Sequence, residues 1–264
     1  MIIKGACHLH SKYSYDGKLS LSQIKDLFSK KGLSFVCMTE HTNDLTEEKA
    51  QEFIKECREL SDEEFIFIPG FEVSYGGAHL LMIGSDKFIS QHVKEADLLK
   101  WLEDTEFVVL AHPHKNNYKI NKNLKRMING LEVWNSQYDG KFAPRFRSFI
   151  FLKKLQRENN IRAFAGLDFH KEEHFGNPIV FVDVKTLSKI EILNAFKSGN
   201  YTFGKDKIVF SSRGDIQQGN LNKLFIQSFL SINFICFSKW INKNFVKMGL
   251  SIPKNLKKKI RSKI

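Results

Sequence analysis

Short apolar runs alternate along the chain with segments in which apolar residues recur every three or four positions. That is the pattern of strands and helices taking turns around a mostly parallel sheet. Residues 2–9, 34–38, 65–68, 79–83, 107–111, 130–134, 162–165 and 179–184 are the predicted strands. Residues 19–31, 46–60, 95–103, 144–159 and 187–198 are the predicted amphipathic helices, the second opened by Thr46 with Glu48 and Lys49 behind it. Polar residues gather where the strands stop: His8 and His10, Glu40 and His41, Glu72, His112 and His114, Glu132 and Asn135, then Asp168 and His170. In α/β barrels the strands' C-terminal ends carry the chemistry. His79 is a partial exception, lying near the start of its apolar run.

A chain of 264 residues with 42% hydrophobic and 27% charged residues has material for one sizeable core and an appendage. The net charge of +12 suggests nucleic acid until its position is considered. From Lys205 onward there are 13 Lys and Arg against two acids, whereas residues 1–204 hold 28 against 27. The body is neutral and the tail basic, which divides the chain into a main domain at 1–204 and an extension at 205–264. Cys7, Cys37, Cys57 and Cys236 lack paired spacing and no cleavable signal precedes the first strand, so reduced thiols and a cytoplasmic location are expected. No uninterrupted apolar run reaches the roughly 18 residues of a membrane span; the longest candidate, 224–238, contains Gln227, Ser228, Ser231 and Asn233.

The spacing of the polar residues narrows the chemistry. Side chains of an extended chain repeat every two residues, so His8-Leu9-His10 sends two imidazoles to one side. His112-Pro113-His114 and Asp168-Phe169-His170 share that spacing. Nitrogen and carboxylate donors together suit zinc, manganese or iron, and a carboxylate can bridge two cations. A lone histidine is more often structural than catalytic. Seven of the nine lie beside a strand end or a carboxylate, however, and a neutral core has little other use for so many titratable groups. His92 and His174 read as surface histidines and His114 as a supporting residue.

The ordered series His8-Leu9-His10, Tyr15-Asp16-Gly17, Thr39-Glu40-His41, Pro69-Gly70-Phe71-Glu72, His79, Ala111-His112-Pro113 and Gly166-Leu167-Asp168-Phe169-His170 resembles the PHP (polymerase and histidinol phosphatase) family over roughly residues 1–200. Glu132-Val133-Trp134-Asn135 resembles its compact bacterial hydrolases. The resemblance implies an α/β fold, a distorted seven-stranded (β/α) barrel, with the tail as a basic amphipathic helical extension. It implies one divalent cation on His8, His10, Glu72 and Asp168, a second on Glu72, His79 and His112, and a third on Asp16, His41 and His170. Asp16 stands where some relatives use His, and Glu40 where Asp is common, so the third site departs most from the family pattern. The implied activity is phosphoester hydrolysis by a metal-bound hydroxide held by Glu72, Asp168 and His170. Cationic substrate contacts are sought in Lys115, Arg145 and Arg147, with Asn135 as a further contact.

The expected substrate is a phosphorylated small molecule or nucleotide. Amide or ester hydrolysis on the same metals, and a non-catalytic metal-stabilised interaction module, are the alternatives. Residues 221–248 read as a helix with a broad apolar surface, a narrow polar stripe at Lys223, Gln227, Ser231, Ser238 and Asn242, and a basic end at Lys257-Lys258-Lys259. Residues 221–264 suit an anionic membrane surface at the cytoplasmic face better than nucleic acid, which lacks use for so much apolar surface. Packing of this segment on the barrel is the competing reading.

Overall fold

The structure, a computed structural model, describes residues 1–90, 94–140, 142–205 and 207–247. His92 and the basic stretch 248–264 lie outside the described residues. The strands are β1 (Ile2–Leu9), β2 (Phe35–Met38), β3 (Glu40–His41), β4 (Ile66–Ile68), β5 (Gly70–Tyr75), β6 (Ala78–Ile83) and β7 (Phe107–Ala111). They continue with β8 (Gly130–Asn135), β9 (Arg162–Gly166), β10 (Ile179–Asp183), β11 (Tyr201–Lys205), β12 (Ile208–Ser211) and β13 (Ile216–Gln218). The helices are α1 (Leu21–Ser29), α2 (Glu47–Leu60), α3 (Glu95–Glu103), α4 (Lys122–Met127), α5 (Ser136–Asp139), α6 (Phe146–Gln156), α7 (Lys189–Ser198) and α8 (Leu221–Lys247).

Strands that read as unbroken apolar runs are covered on both faces, as β2 and β7 are at every residue. Phe107, Phe164 and Phe196 form an aromatic knot with ring centroids 5.5 to 5.8 Å apart, locking α7 onto β7 and β9. Helix starts follow the polar cues: Ser20 and Gln23 form a capping box on α1, and Thr46 accepts from the Lys49 N–H on α2.

The expected single seven-stranded barrel is replaced by two sheets. One has seven strands in the order β13-β12-β11-β10-β1-β2-β4, the other six in the order β3-β5-β6-β7-β8-β9. The chain changes sheet at Thr39, between β2 and β3, and a bridge from Leu9 to Phe169 joins the two where β1 ends. The arrangement is also less parallel than expected: β5, β6 and β7 pair antiparallel, as do β1 and β10 through β13. Two residues join β5 to β6, too few for the crossover a parallel pair needs. β6 therefore begins at the edge where its antiparallel neighbours β5 and β7 finish, which resolves the apparent exception of His79. Glu72, expected just past the end of the strand at 65–68, sits inside β5 with His41 beside it in register.

The first sheet passes the expected boundary at 204/205 and runs to Gln218. α8 follows, with Leu224 and Ser228 buried against the body and Ile226, Phe229, Leu230, Phe234, Phe237 and Trp240 exposed. The exposed apolar residues form an outer face, while the inner side that meets the body carries, among the described side chains, one apolar and one polar residue, Leu224 and Ser228. Over Asn222–Asn244, 23 residues at a hydropathy of 1.4, α8 is long and apolar enough to cross a membrane by length and composition.

Candidate metal centre

Three of the converging side chains leave a strained backbone. His8, His112 and Asp168 have φ of 63°, 24° and 52°, a region that residues with a side chain enter at a cost of about 1 to 3 kcal/mol each. The register between β1 and β2 shifts between Cys7 and Leu9, at His8 itself. The pairing of His8 with His10 and of Asp168 with His170 therefore rests on these kinks rather than on the plain two-residue alternation expected from sequence. Two glycines make room. A Cβ on Gly166 would stand 2.2 Å from Glu132 Oε1 and 2.6 Å from His8 Cβ, and one on Gly17 would stand 1.8 Å from the Ser11 carbonyl oxygen. Only glycine lets β9 pass beneath His8, or lets the Asp16 turn close on Ser11.

Glu72 is the hub. It is 2% exposed, and its Oε2 lies 3.3 Å from His8 Nε2, His10 Nε2 and His41 Nδ1. Its Oε1 lies 2.5 Å from His79 Nδ1 and 3.1 Å from His112 Nε2. Asp168 Oδ1 lies 3.5 Å from His8 Nε2 and 3.7 Å from His10 Nε2. Asp16 closes the far side, with Oδ2 3.1 Å from His170 Nε2 and Oδ1 3.6 Å from His41 Nε2. All nine expected ligands thus meet at one mouth. Four subsets have ligand atoms close enough to share an ion: His8, His10 and Glu72; His8, His112 and Asp168; Glu72, His79 and His112; His10, His41 and His170.

The donors fit divalent cations. Tetrahedral coordination with bonds of roughly 2.0 to 2.2 Å spaces its donors roughly 3.3 to 3.6 Å apart, the separation seen here for most pairs around Glu72 and Asp168. His10 Nε2, His112 Nδ1 and Asp16 Oδ1 are buried without a hydrogen-bond partner, the state of groups aimed at something other than protein. Protonation does not satisfy His10: burial, then the nearby His41 and His170, hold its pKa down at about 3 despite Glu72. His8 is raised well above its ordinary value, because Asp168, Glu132 and Glu72 together outweigh burial. Burial would raise Glu72, but the charge on His8 and the neighbouring imidazoles of His10, His112 and His79 hold it well below the carboxylate range. Asp168 is lowered too, against burial, by His8 and His112. The carboxylates are ionised and demand positive charge that the neutral His10 cannot supply.

With that geometry in place, comparison with known proteins is decisive. Residues 6–155 match the family described as the PHP domain. The chain belongs to the PHP domain family. A protein from Thermotoga maritima described as a probable histidinol-phosphatase is 27% identical over 143 residues, which cover 46% of this chain and 61% of that protein. The chain thus matches about three-fifths of the length of that relative. Among solved structures, a two-domain Bacteroides vulgatus protein containing a predicted PHP-like metal-dependent phosphoesterase aligns with a TM-score of 0.61 at 16% identity, over 88% of this chain and 70% of that one. An endonuclease Q, in complex with a 27-mer duplex bearing an abasic lesion, aligns at 0.53 and 19% identity, over 80% and 60%. Both show a shared fold.

In this PHP domain a second layer orients the first. Glu132 receives His8 Nδ1 at 2.9 Å, the backbone N–H of His112 at 2.7 Å and the Asn135 amide at 2.9 Å. Asn135 was expected at the substrate. It is instead fully buried, its amide also reaching Asp168 Oδ2 at 3.3 Å while its oxygen caps α5 at the N–H groups of Gln137 and Tyr138. Every polar atom of its side chain is engaged within the protein. Glu40 accepts the Ser11 N–H and the Ser14 hydroxyl, and burial raises its pKa; Ser14 in turn receives the His41 N–H at 2.9 Å. These serines were missed because nothing in their spacing marks them. Glu132 was legible as a carboxylate at a strand end, but its partners were not.

The cationic candidates divide. Lys115 is exposed, with Nζ 4.5 Å from the Tyr138 ring centre, and that ring borders both His112 and His114. Arg145 donates to Asp139 at 2.9 Å and to the Tyr138 carbonyl at 3.0 Å, while Arg147 lies over the Tyr118 ring. Both arginines line a groove of about 340 Å³ with His114, Tyr118, Phe229 and Ile232, beside the metal mouth and not in it. His174, expected at the surface, is half-buried and receives the backbone N–H of His170 at 3.3 Å. Burial and then the neighbouring His170 hold its pKa down at about 4.

Proposed function

We propose that this chain hydrolyses a phosphoester at two or three divalent cations of the zinc, manganese or iron type. The observation that carries the reading is the single buried carboxylate of Glu72 surrounded by five imidazole nitrogens within 3.3 Å. His8, His10, Glu72 and Asp168 would hold one ion, Glu72, His79 and His112 a second, and Asp16, His41 and His170 a third. Bound cations of this kind lower the pKa of a coordinated water and draw charge from a phosphoryl oxygen. The chain's own part is placement. Glu132 fixes the tautomer and tilt of His8 through Nδ1 and pins the His112 backbone, and Asn135 holds Asp168. Glu72, Asp168 and His170 line the place for the attacking water.

A small phosphomonoester suits the surroundings better than a nucleic acid. The groove beside the mouth has the volume of a metabolite site, and residues 1–204 carry almost no net charge with which to track a phosphate backbone. Lys115 and the arginines of the groove would meet the phosphate and the leaving group. The likeness to a probable histidinol-phosphatase supports this choice, and the endonuclease Q likeness makes phosphodiesters the arm to test against it. The experiment is a screen of phosphomonoesters, phosphodiesters and carboxyl esters with metal-loaded protein and its Asp168→Ala variant. Turnover of monoesters lost in the variant is expected; turnover of carboxyl esters alone, or activity unaffected by Asp168→Ala, would overturn the reading.

A further inference from the structure

The helix α8 presents an apolar face that nothing in the described residues covers. At 100° per residue, Ile226, Phe229, Leu230, Phe234, Phe237 and Trp240 fall on one side, and each is between 46% and 62% exposed. The opposite side holds the buried Leu224 and Ser228, which seat the helix on the body. Phe229 also shares a groove with Phe146 of α6, itself exposed, so the apolar surface continues off the helix. A soluble protein seldom leaves a patch of this extent bare.

The charge around the face selects its occupant. Lys223 stands at the N-terminal end of this face and Lys243 and Lys247 toward its C-terminal end, and all three are exposed. From Ile216 to the last residue the sequence contains ten Lys and Arg and no acid. A second copy of the helix laid against the first would bring like charges together with no carboxylate on α8 to pair them. An anionic bilayer supplies both an apolar phase for Phe234, Phe237 and Trp240 and negative charge for the lysines. Crossing the bilayer would strip Leu224 and Ser228 from the body and carry Lys239 and Lys243 into hydrocarbon. We propose that α8 docks this protein flat on an anionic lipid surface through its outer apolar face while its inner face stays on the body. The proposal does not depend on the metal chemistry.

The protein carries its own reporter. Trp101 and Trp134 are 4% and 0% exposed, whereas Trp240 is 61% exposed, so a change in tryptophan emission reads the outer face of α8. The full chain is titrated with vesicles of phosphatidylcholine, alone or mixed with phosphatidylglycerol, and binding is checked by co-sedimentation. The expected results are a blue shift and a partition roughly tenfold or more stronger on the anionic vesicles, reduced by high salt. In a Phe234→Asp, Phe237→Asp double variant the binding should be lost with metal content and circular dichroism unchanged. Several outcomes would overturn the proposal: no binding to anionic vesicles, undiminished binding by the double variant, retention in the membrane after alkaline extraction, or lipid-indifferent dimers that the double variant abolishes.

Discussion

Glu72 is 2% exposed with five imidazoles around it, while Trp240 on α8 is 61% exposed and its neighbours along the outer face are other exposed apolar side chains. Both regions leave a physical need unmet within the described residues. At the mouth the need is for positive charge around carboxylates that the protein itself largely covers, where an uncompensated charge is costly and geometry is fixed by packing. On α8 the need is for an apolar phase, and the surface reaches solvent without disturbing the fold. Substitutions at the mouth should therefore propagate through function and stability together, and substitutions on α8 should do neither in free solution.

The largest expected effect follows Glu72→Ala, which removes the hub shared by two cation sites. Turnover of a phosphoester substrate should fall on the order of a thousandfold or more, since bound cations contribute several kcal/mol to such barriers; steady-state kinetics on the metal-loaded variant measure it. Next comes Glu132→Ala. It touches no expected cation but frees His8 and the His112 backbone, and metal affinity measured by competition with a chelator should drop roughly 10- to 100-fold. An effect confined to Glu72 would show that the second layer is idle.

That second layer is also where sequence reasoning stopped. The strand ends bearing His8, Glu40, His112, Glu132 and Asp168 were legible from alternating apolar and polar runs, whereas the full set of nine, Asp16 and His79 included, followed only from the resemblance to the PHP family. The reversal of β6 was not legible, because Glu72 and Ser74 interrupt the apolar run of β5, the strand that only two residues separate from β6. The positive φ of His8 and Asp168 was hidden as well, since a two-residue spacing looks the same whether a strand continues or kinks. Hydrogen bonds such as Ser14 to Glu40 and Asn135 to Asp168 join residues 26 and 33 positions apart and depend on the finished fold.

A third test addresses pH. Asp139 lies behind the mouth, and burial, against the pull of Arg145, raises its pKa from 3.8 to about 6. The folded state then holds this proton more tightly than the unfolded chain does. The contribution of Asp139 to stability should be fully present below about pH 4, decline by roughly 2 to 3 kcal/mol as pH rises to about 6, and change little above that. Urea unfolding at pH 4.5 and 6.5 should show this slope in the wild type, against the background of other groups, and a shallower one in Asp139→Asn. The smallest effect belongs to Phe237→Asp, for which stability in the absence of lipid should stay within about 0.5 kcal/mol of wild type. A larger loss there would mean that the outer face of α8 is packed and the contrast between the two regions is false.

The most direct measurement is the metal content of the purified full chain after equilibration with zinc, manganese or iron and removal of free ions. Two or three equivalents per chain are expected, falling in Glu72→Ala. A folded wild-type protein that retains no metal under any of these conditions would contradict the shared cation cluster around Glu72.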